Sequence, residues 1–167
     1  DLLRLSRVSR SEMQYSKVNL SALAQEQIHD LRESDPQRQV EVVIAPDLCV
    51  TADVTLMRVI ISNLIQNAWK FTSHHATARI EFGVIQQEGE LIYFVRDDGA
   101  GFDMNYTKML FGVFQRLHNT NEFPGTGIGL ATVQRVVHRH GGRVWAEGEV
   151  EKGATIYFTV PNIPVKI

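Results

Sequence analysis

A single cysteine, Cys49, excludes an internal disulfide and any metal site built on several thiolates, and it fits a reducing compartment. Charge of one sign is also missing. With 17 basic against 19 acidic residues and a net charge of −2, the chain has no general electrostatic attraction to nucleic acid or to an anionic membrane. Phosphate binding, if present, must be local. No apolar run approaches the roughly 20 residues needed to cross a bilayer, no signal peptide opens the chain, and neither repeats nor low-complexity tracts occur. The expectation is a soluble, cytoplasmic domain without membrane contact. What remains is ordinary: 44% hydrophobic and 22% charged residues in a chain of 167, enough for one domain with one core.

Leu2, Leu5 and Val8 recur at helical spacing near the start, a short amphipathic stripe that needs a partner surface. Residues 17–19 read as extended, and Ser21 is placed to cap a helix over 21–33 that stops before Pro36. Val40, Val42, Val43 and Ile44 suggest a strand and Val50 a short returning one. Asp53 then caps the most informative helix, 54–71. Strands follow at 78–86 and 91–96, joined by the turn Glu88-Gly89-Glu90. A loop-rich stretch to about 126 carries a short helix near 105–110. A helix over 127–140 ends at Gly141-Gly142, and strands at 143–147 and 154–160 complete the chain. Interspersed helices with strand pairs on short turns predict an α/β fold, a two-layer sandwich of a mixed, mostly antiparallel sheet covered by helices on one face.

On helix 54–71 the apolar arc is Leu56, Met57, Ile60, Ile61, Leu64 and Ala68, and Asn63, Asn67 and Lys70 line its border. At i, i+4 and i+7 these two amides and one ammonium project the same way and can converge on an anion; amide oxygens also suit hard Mg²⁺. A solvated helix edge would show the same pattern. Strand 91–96 runs into Asp97-Asp98-Gly99-Ala100-Gly101, where glycines permit close backbone approach and a carboxylate can accept from a base amino group. Taken singly, this is equally a turn. Gly125-Thr126-Gly127-Ile128-Gly129-Leu130 precedes a helix, whose N-terminus and amides can hold phosphate oxygens, although the spacing is not that of a dinucleotide fold. Between the loops, Leu110-Phe111-Gly112-Val113-Phe114-Gln115-Arg116 offers two aromatic anchors and a bidentate donor, and 112–125 has the length of a lid.

In order, these segments resemble the ATP-binding domain of sensor histidine kinases, in the superfamily that includes gyrase, the ninety-kilodalton heat-shock chaperone and mismatch-repair ATPases. NLIQNAWKFT is similar to the N box, DDGAG to the first glycine box, LFGVFQR to the F box, GTGIGL to the second glycine box, and Gly153-Ala154-Thr155 to the terminal one. MLFGVFQRLH and ATVQRVVHRHGG resemble phytochrome-type and PAS-linked kinases in particular. The resemblance covers about 17–161 and implies a Bergerat-type fold with ATP and Mg²⁺ as cofactors. It implies that Asn67 binds the metal with Asn63 beside it, that Lys70 and Arg116 face the phosphates, and that Phe71 lies beside the nucleotide. Asp97 would read the adenine amino group while Gly99 and Gly101 shape its loop. Gly125, Thr126, Gly127, Gly129 and Leu130 would form the phosphate-side hinge of the lid. The activity implied is ATP-dependent protein-histidine kinase, acting on a dimerisation and phosphoacceptor domain absent from this chain, in a homodimeric parent that serves a response-regulator receiver domain.

His29-Asp30-Leu31-Arg32 superficially resembles the family's phosphoacceptor box, but too few residues separate His29 from Asn67 for a second hairpin helix, and Ser34 stands where the family has proline. By the same logic residues 1–14 resemble the end of the hairpin's second helix and 15–167 the catalytic domain. His138 and His140, near a helix C-terminus, are placed to favour its dipole. A nucleotide-sensing module and an ATP-hydrolysing relative are the alternative functions.

Overall fold

Helix α3 (Val54–Phe71) is the element around which the others are arranged. Its start is fixed by Asp53, whose Oδ1 accepts the Leu56 N–H at 3.0 Å, and its apolar arc is buried, with Val59, Ile65 and Trp69 added to the expected residues. Burying each large aliphatic side chain contributes about 1.5–3 kcal/mol relative to leaving it in water. The computed structural model describes residues 2–10, 12–112 and 129–161.

The described elements are α1 (Leu2–Arg10), β1 (Tyr15–Asn19), α2 (Leu20–Ser34), β2 (Gln39–Ile44), β3 (Cys49–Asp53), α3, β4 (Thr77–Gln87) and β5 (Glu90–Asp97). A 3₁₀ helix (Met104–Met109), α4 (Gly129–Arg139), β6 (Val144–Glu149) and β7 (Gly153–Phe158) follow. Five strands form one sheet in the order β2-β4-β5-β7-β6, in which only β2 and β4 are parallel; their connection runs through β3 and α3. The mixed, mostly antiparallel α/β sandwich is therefore as the sequence predicts. Ile80, Phe82, Tyr93, Val95 and Phe158 point from the sheet into the helical layer. On the opposite face Trp145 stacks on Tyr157 at 5.3 Å, and Arg143 and Arg96 cover Trp145 and Phe94.

Two expectations about these elements are corrected. Asn19, not Ser21, caps α2: β1 runs straight into the helix, Asn19 Oδ1 accepts the Ala22 N–H at 3.0 Å, and Ser21 is buried in the first turn. There its hydroxyl donates to the Ala45 carbonyl at 2.6 Å and accepts the Leu48 N–H at 2.9 Å. The strand at Val50 does not return along β2; it leaves the main sheet and pairs antiparallel with β1, setting Val50 opposite Val18. The short helix expected near 105–110 is present, as the 3₁₀ helix Met104–Met109.

His140 also departs from expectation. It is not a helix-end cation but a buried neutral ring, 1% exposed. Nδ1–H donates to the Val136 carbonyl at 2.9 Å, so Nε2 is left to accept the Asp53 N–H at 3.2 Å. Burial lowers its pKa, with Arg139 acting the same way, against the opposing influence of Val136 and Asp53. Protonation is therefore easier in the unfolded chain, so stability present above about pH 6.5 is lost as pH falls below that value. His140→Gln, which cannot be protonated, should flatten that decline in urea unfolding between about pH 7.5 and about pH 5. An unchanged pH slope would show that this ring does not carry the effect.

Candidate nucleotide site

Two segments distant in sequence meet at the C-terminal end of α3. The Phe71 carbonyl, which closes the helix, accepts the Ala100 N–H at 2.9 Å, so the loop after β5 is hung directly from the helix that carries Asn63, Asn67 and Lys70. Gly99 makes this possible: a Cβ there would fall on the Phe71 carbonyl. Gly101 sits at φ 64 with its α-carbon against the Glu149 carbonyl, and Gly153, at φ 109, is pressed on the Asp97 carbonyl. The three glycines let α3, the β5 loop and the β6–β7 turn approach backbone to backbone. The Glu151 N–H seals the arrangement on the Ala100 carbonyl at 2.7 Å.

Asp97 ends β5 on the same face as Tyr93 and Val95, the face turned toward the helices, in register with Ile80 on one side and Ala154 on the other. A carboxylate thus takes a position at which the neighbouring strand places a core aliphatic. Burial pushes its pKa up from 3.8 to about 6; the N–H groups of Gly99 and Ala154 and the nearby His75 pull it back, and Asp98 adds to the rise. Gly99 N–H donates to Asp97 Oδ1 at 2.9 Å and fixes that oxygen. Such a fixed, partly desolvated carboxylate suits recognition of a neutral N–H donor such as an exocyclic amine.

On α3, Asn63, Asn67 and Lys70 are half-buried along one edge, as expected. The Asn63 Nδ2 group donates to the Val59 carbonyl at 2.8 Å. Its amide oxygen faces Gly129 at the start of α4, where a Cβ would lie 3.1 Å away, so the helix that opens with Gly129 and Leu130 begins against this edge. Lys70 Nζ lies 4.8 Å from the Phe71 ring centroid. Among the described residues no group of three or more His, Cys, Asp and Glu is placed to hold a metal ion. The amide oxygens of Asn63 and Asn67, with phosphate oxygens, are a hard donor set of the kind that fits Mg²⁺. Arg116, Gly125, Thr126 and Gly127 lie outside the described residues.

Sequence reasoning missed three contributors. Arg38 donates to the Trp69 carbonyl at 2.5 Å and to Thr72 Oγ1 at 2.9 Å, stacks over Trp69, and so caps the end of α3 from 31 residues away in sequence. His75 and Glu151 meet at 3.7 Å beside the Asp97 loop. None of the three carries a local sequence signal, because each acts across a long separation.

The glycine-lined loop and the carboxylate behind it sit at one end of an α/β domain, and comparison with known proteins gives its family. The profile of the histidine kinase-, DNA gyrase B-, and HSP90-like ATPase family matches residues 52–164. Cyanobacterial phytochrome A from Nostoc is 34% identical over 96% of this chain, and sensor histidine kinase WalK from Bacillus subtilis is 32% identical over 96%. The chain spans 21% and 27% of those two proteins. Among solved structures, full-length ShkA in complex with AMPPNP superposes with a TM-score of 0.75 at 23% identity, covering 98% of this chain and 36% of that one. The catalytic domain of histidine kinase ThkA superposes at 0.74 and 23%, covering 90% and 97%. The chain belongs to the histidine kinase-, DNA gyrase B-, and HSP90-like ATPase family, as an ATP-binding domain of the sensor histidine kinase kind. Among the described residues no helix is long and apolar enough to cross a membrane.

Proposed function

We propose that this chain is the catalytic part of a cytoplasmic ATP-dependent protein-histidine kinase, binding Mg-ATP and passing its γ-phosphoryl group to a histidine on a separate dimerisation domain. The observation that carries the reading is Asp97: a half-buried carboxylate aimed from a sheet end into the helical layer and locked by the Gly99 N–H. In this reading Asp97 accepts the adenine amino hydrogen, Gly99 and Gly101 form the floor of the base pocket, and Phe71 flanks the nucleotide. Lys70 and Arg116 balance phosphate charge, and Gly125, Thr126, Gly127, Gly129 and Leu130 form the lid hinge, of which Gly129 lies against Asn63. Asn67 would hold Mg²⁺, which neutralises developing charge on the phosphates.

The transfer forms a P–N bond to the acceptor ring and breaks the β–γ phosphoanhydride bond, so that ADP leaves. The protein supplies positioning and charge rather than covalent chemistry. Residues 1–14 are read as the end of the dimerisation hairpin. That assignment is supported by α1, where Val8 is buried and Leu3 is 72% exposed, and by Arg139, which donates to the Val8 carbonyl at 2.9 Å. A response-regulator receiver domain is the onward partner and a homodimer the parent assembly.

Incubation with γ-labelled ATP and a purified dimerisation hairpin should place acid-labile label on the hairpin histidine. Nucleotide binding without label would favour a sensing module, and steady phosphate release by the chain alone would favour an ATP-hydrolysing relative. Asn67→Ala should weaken binding about tenfold or more with Mg²⁺ and leave affinity in EDTA unchanged, as loss of one metal-directed oxygen requires. Equal losses in both conditions would remove Asn67 from the metal.

A further inference from the structure

We propose that His75, paired with Glu151, is a positioning residue for nucleotide recognition: the pair straps the loop 99–101 between the end of α3 and the β6–β7 turn. The inference rests on the reading of Asp97 as the adenine acceptor. Its basis is a closed circuit of contacts. From α3, the Phe71 carbonyl accepts Ala100 N–H at 2.9 Å; the Ala100 carbonyl accepts Glu151 N–H at 2.7 Å. The Glu151 carboxylate lies 3.7 Å from His75 Nε2, and His75 N–H returns to the Thr72 carbonyl at 3.1 Å. Three links in this ring are backbone hydrogen bonds that a side-chain substitution leaves in place. The fourth is a side-chain pair, and so is the one that sequence can tune.

The surroundings give the pair a second effect. His75 is more enclosed than Glu151, at 28% against 73% side-chain exposure, and it stands near enough to Asp97 that its positive form favours the ionised carboxylate. The charged and titratable groups around this point are Asp97 and Asp98 at the end of β5, Glu151 on the β6–β7 turn, and His74 in the same loop as His75. Asp98 is engaged elsewhere, its Oδ1 accepting the Arg79 N–H at 2.9 Å. His75 therefore acts on recognition through two routes, holding the loop by way of Glu151 and, when protonated, favouring the ionised form of Asp97.

A half-exposed pair of this kind contributes up to about 1 kcal/mol, which corresponds to an effect on affinity of up to about fivefold and one that salt screens. The test is calorimetric titration of this chain with MgADP and with adenosine across pH, at low salt and at about 1 M NaCl. His75→Ala and Glu151→Gln should each weaken both ligands about two- to fivefold, and the double variant should be no worse than the singles. The differences should fade in high salt. In His75→Ala the pH midpoint at which affinity falls should also move upward, because Asp97 loses a charge that favours ionisation; a merely structural loop residue would leave that midpoint in place.

Unchanged affinity and an unchanged midpoint in His75→Ala, with Asp97→Asn still weakening binding, would overturn the strap and leave the adenine site standing. If Asp97→Asn also left MgADP affinity unchanged, the site reading would fall, and the strap with it.

Discussion

Asp97→Asn is expected to raise thermal stability while removing most of the affinity for adenine nucleotides. The two effects share one cause, the desolvation of a carboxylate that function needs charged. An acid whose pKa rises from 3.8 to about 6 on folding holds its proton more tightly in the native state. Stability is therefore greatest below about pH 4 as far as this group is concerned, declines as pH rises toward 6, and at neutral pH bears the full ionisation cost. That cost is on the order of 1–3 kcal/mol, the lower figure allowing for solvent that reaches the partly exposed carboxylate. Asparagine carries no charge, and its Oδ1 can still accept the Gly99 N–H. At roughly 2–4 °C per kcal/mol for a chain of this size, the melting temperature should rise by several degrees. Against this, losing a charged acceptor for the base amine should weaken binding roughly 10- to 100-fold. Wild-type affinity should likewise increase as pH rises through 6, the range in which Asp97 ionises. A lowered melting temperature would contradict the desolvation argument, and undiminished affinity the assignment.

Gly101→Ala should be one of the most damaging single methyls among the described residues. At φ 64 any side chain is strained, and here the added carbon would also fall on the Glu149 carbonyl, with the Gly153 oxygen only 2.8 Å away. The strained conformation costs about 1–3 kcal/mol and overpacking against unyielding backbone a similar amount, for a total of roughly 2–5 kcal/mol. Gly89 separates the two contributions. It has φ 78 but nothing within 4 Å of the place a Cβ would take, so Gly89→Ala should cost only the conformational part, about 1 kcal/mol. Urea midpoints at constant slope measure both. Equal losses at the two glycines would mean that the close approach of the 99–101 loop to the β6–β7 turn is not what demands glycine.

Much of this site was legible in the sequence because its information is local. Helix α3 was readable to its ends: Asp53 caps it, its apolar arc has one clear period, and Asn63, Asn67 and Lys70 share an edge by spacing alone. The glycine loop after β5 was readable for a related reason, since an Asp-Gly pattern at a strand end marks a sharp change of backbone direction. What was not legible depends on partners chosen in three dimensions. Asn19 and Ser21 are both capping types two residues apart, and only the run of β1 into α2 decides between them. Val50 announces a strand but not its partner, which the packing against Val18 selects. His140 has the local signature of a helix-end cation, and only the fold brings the Asp53 N–H, 87 residues away, against its ring. Arg38, His75 and Glu151 belong to the same class, and the expectations for Arg116 and for Gly125 to Gly127 fall outside the described residues.

The most direct test of an Asp97-centred adenine site exchanges the base and the acceptor together. ATP presents an amino group at the position where ITP presents a carbonyl oxygen, so the affinities of both nucleotides for wild type and for Asp97→Asn form a closed cycle. Ionised Asp97 should favour ATP strongly, and asparagine, whose amide can donate to the carbonyl, should abolish or invert that preference. A strong coupling between base and residue is the predicted result. Parallel losses for ATP and ITP, with no coupling, would contradict the account.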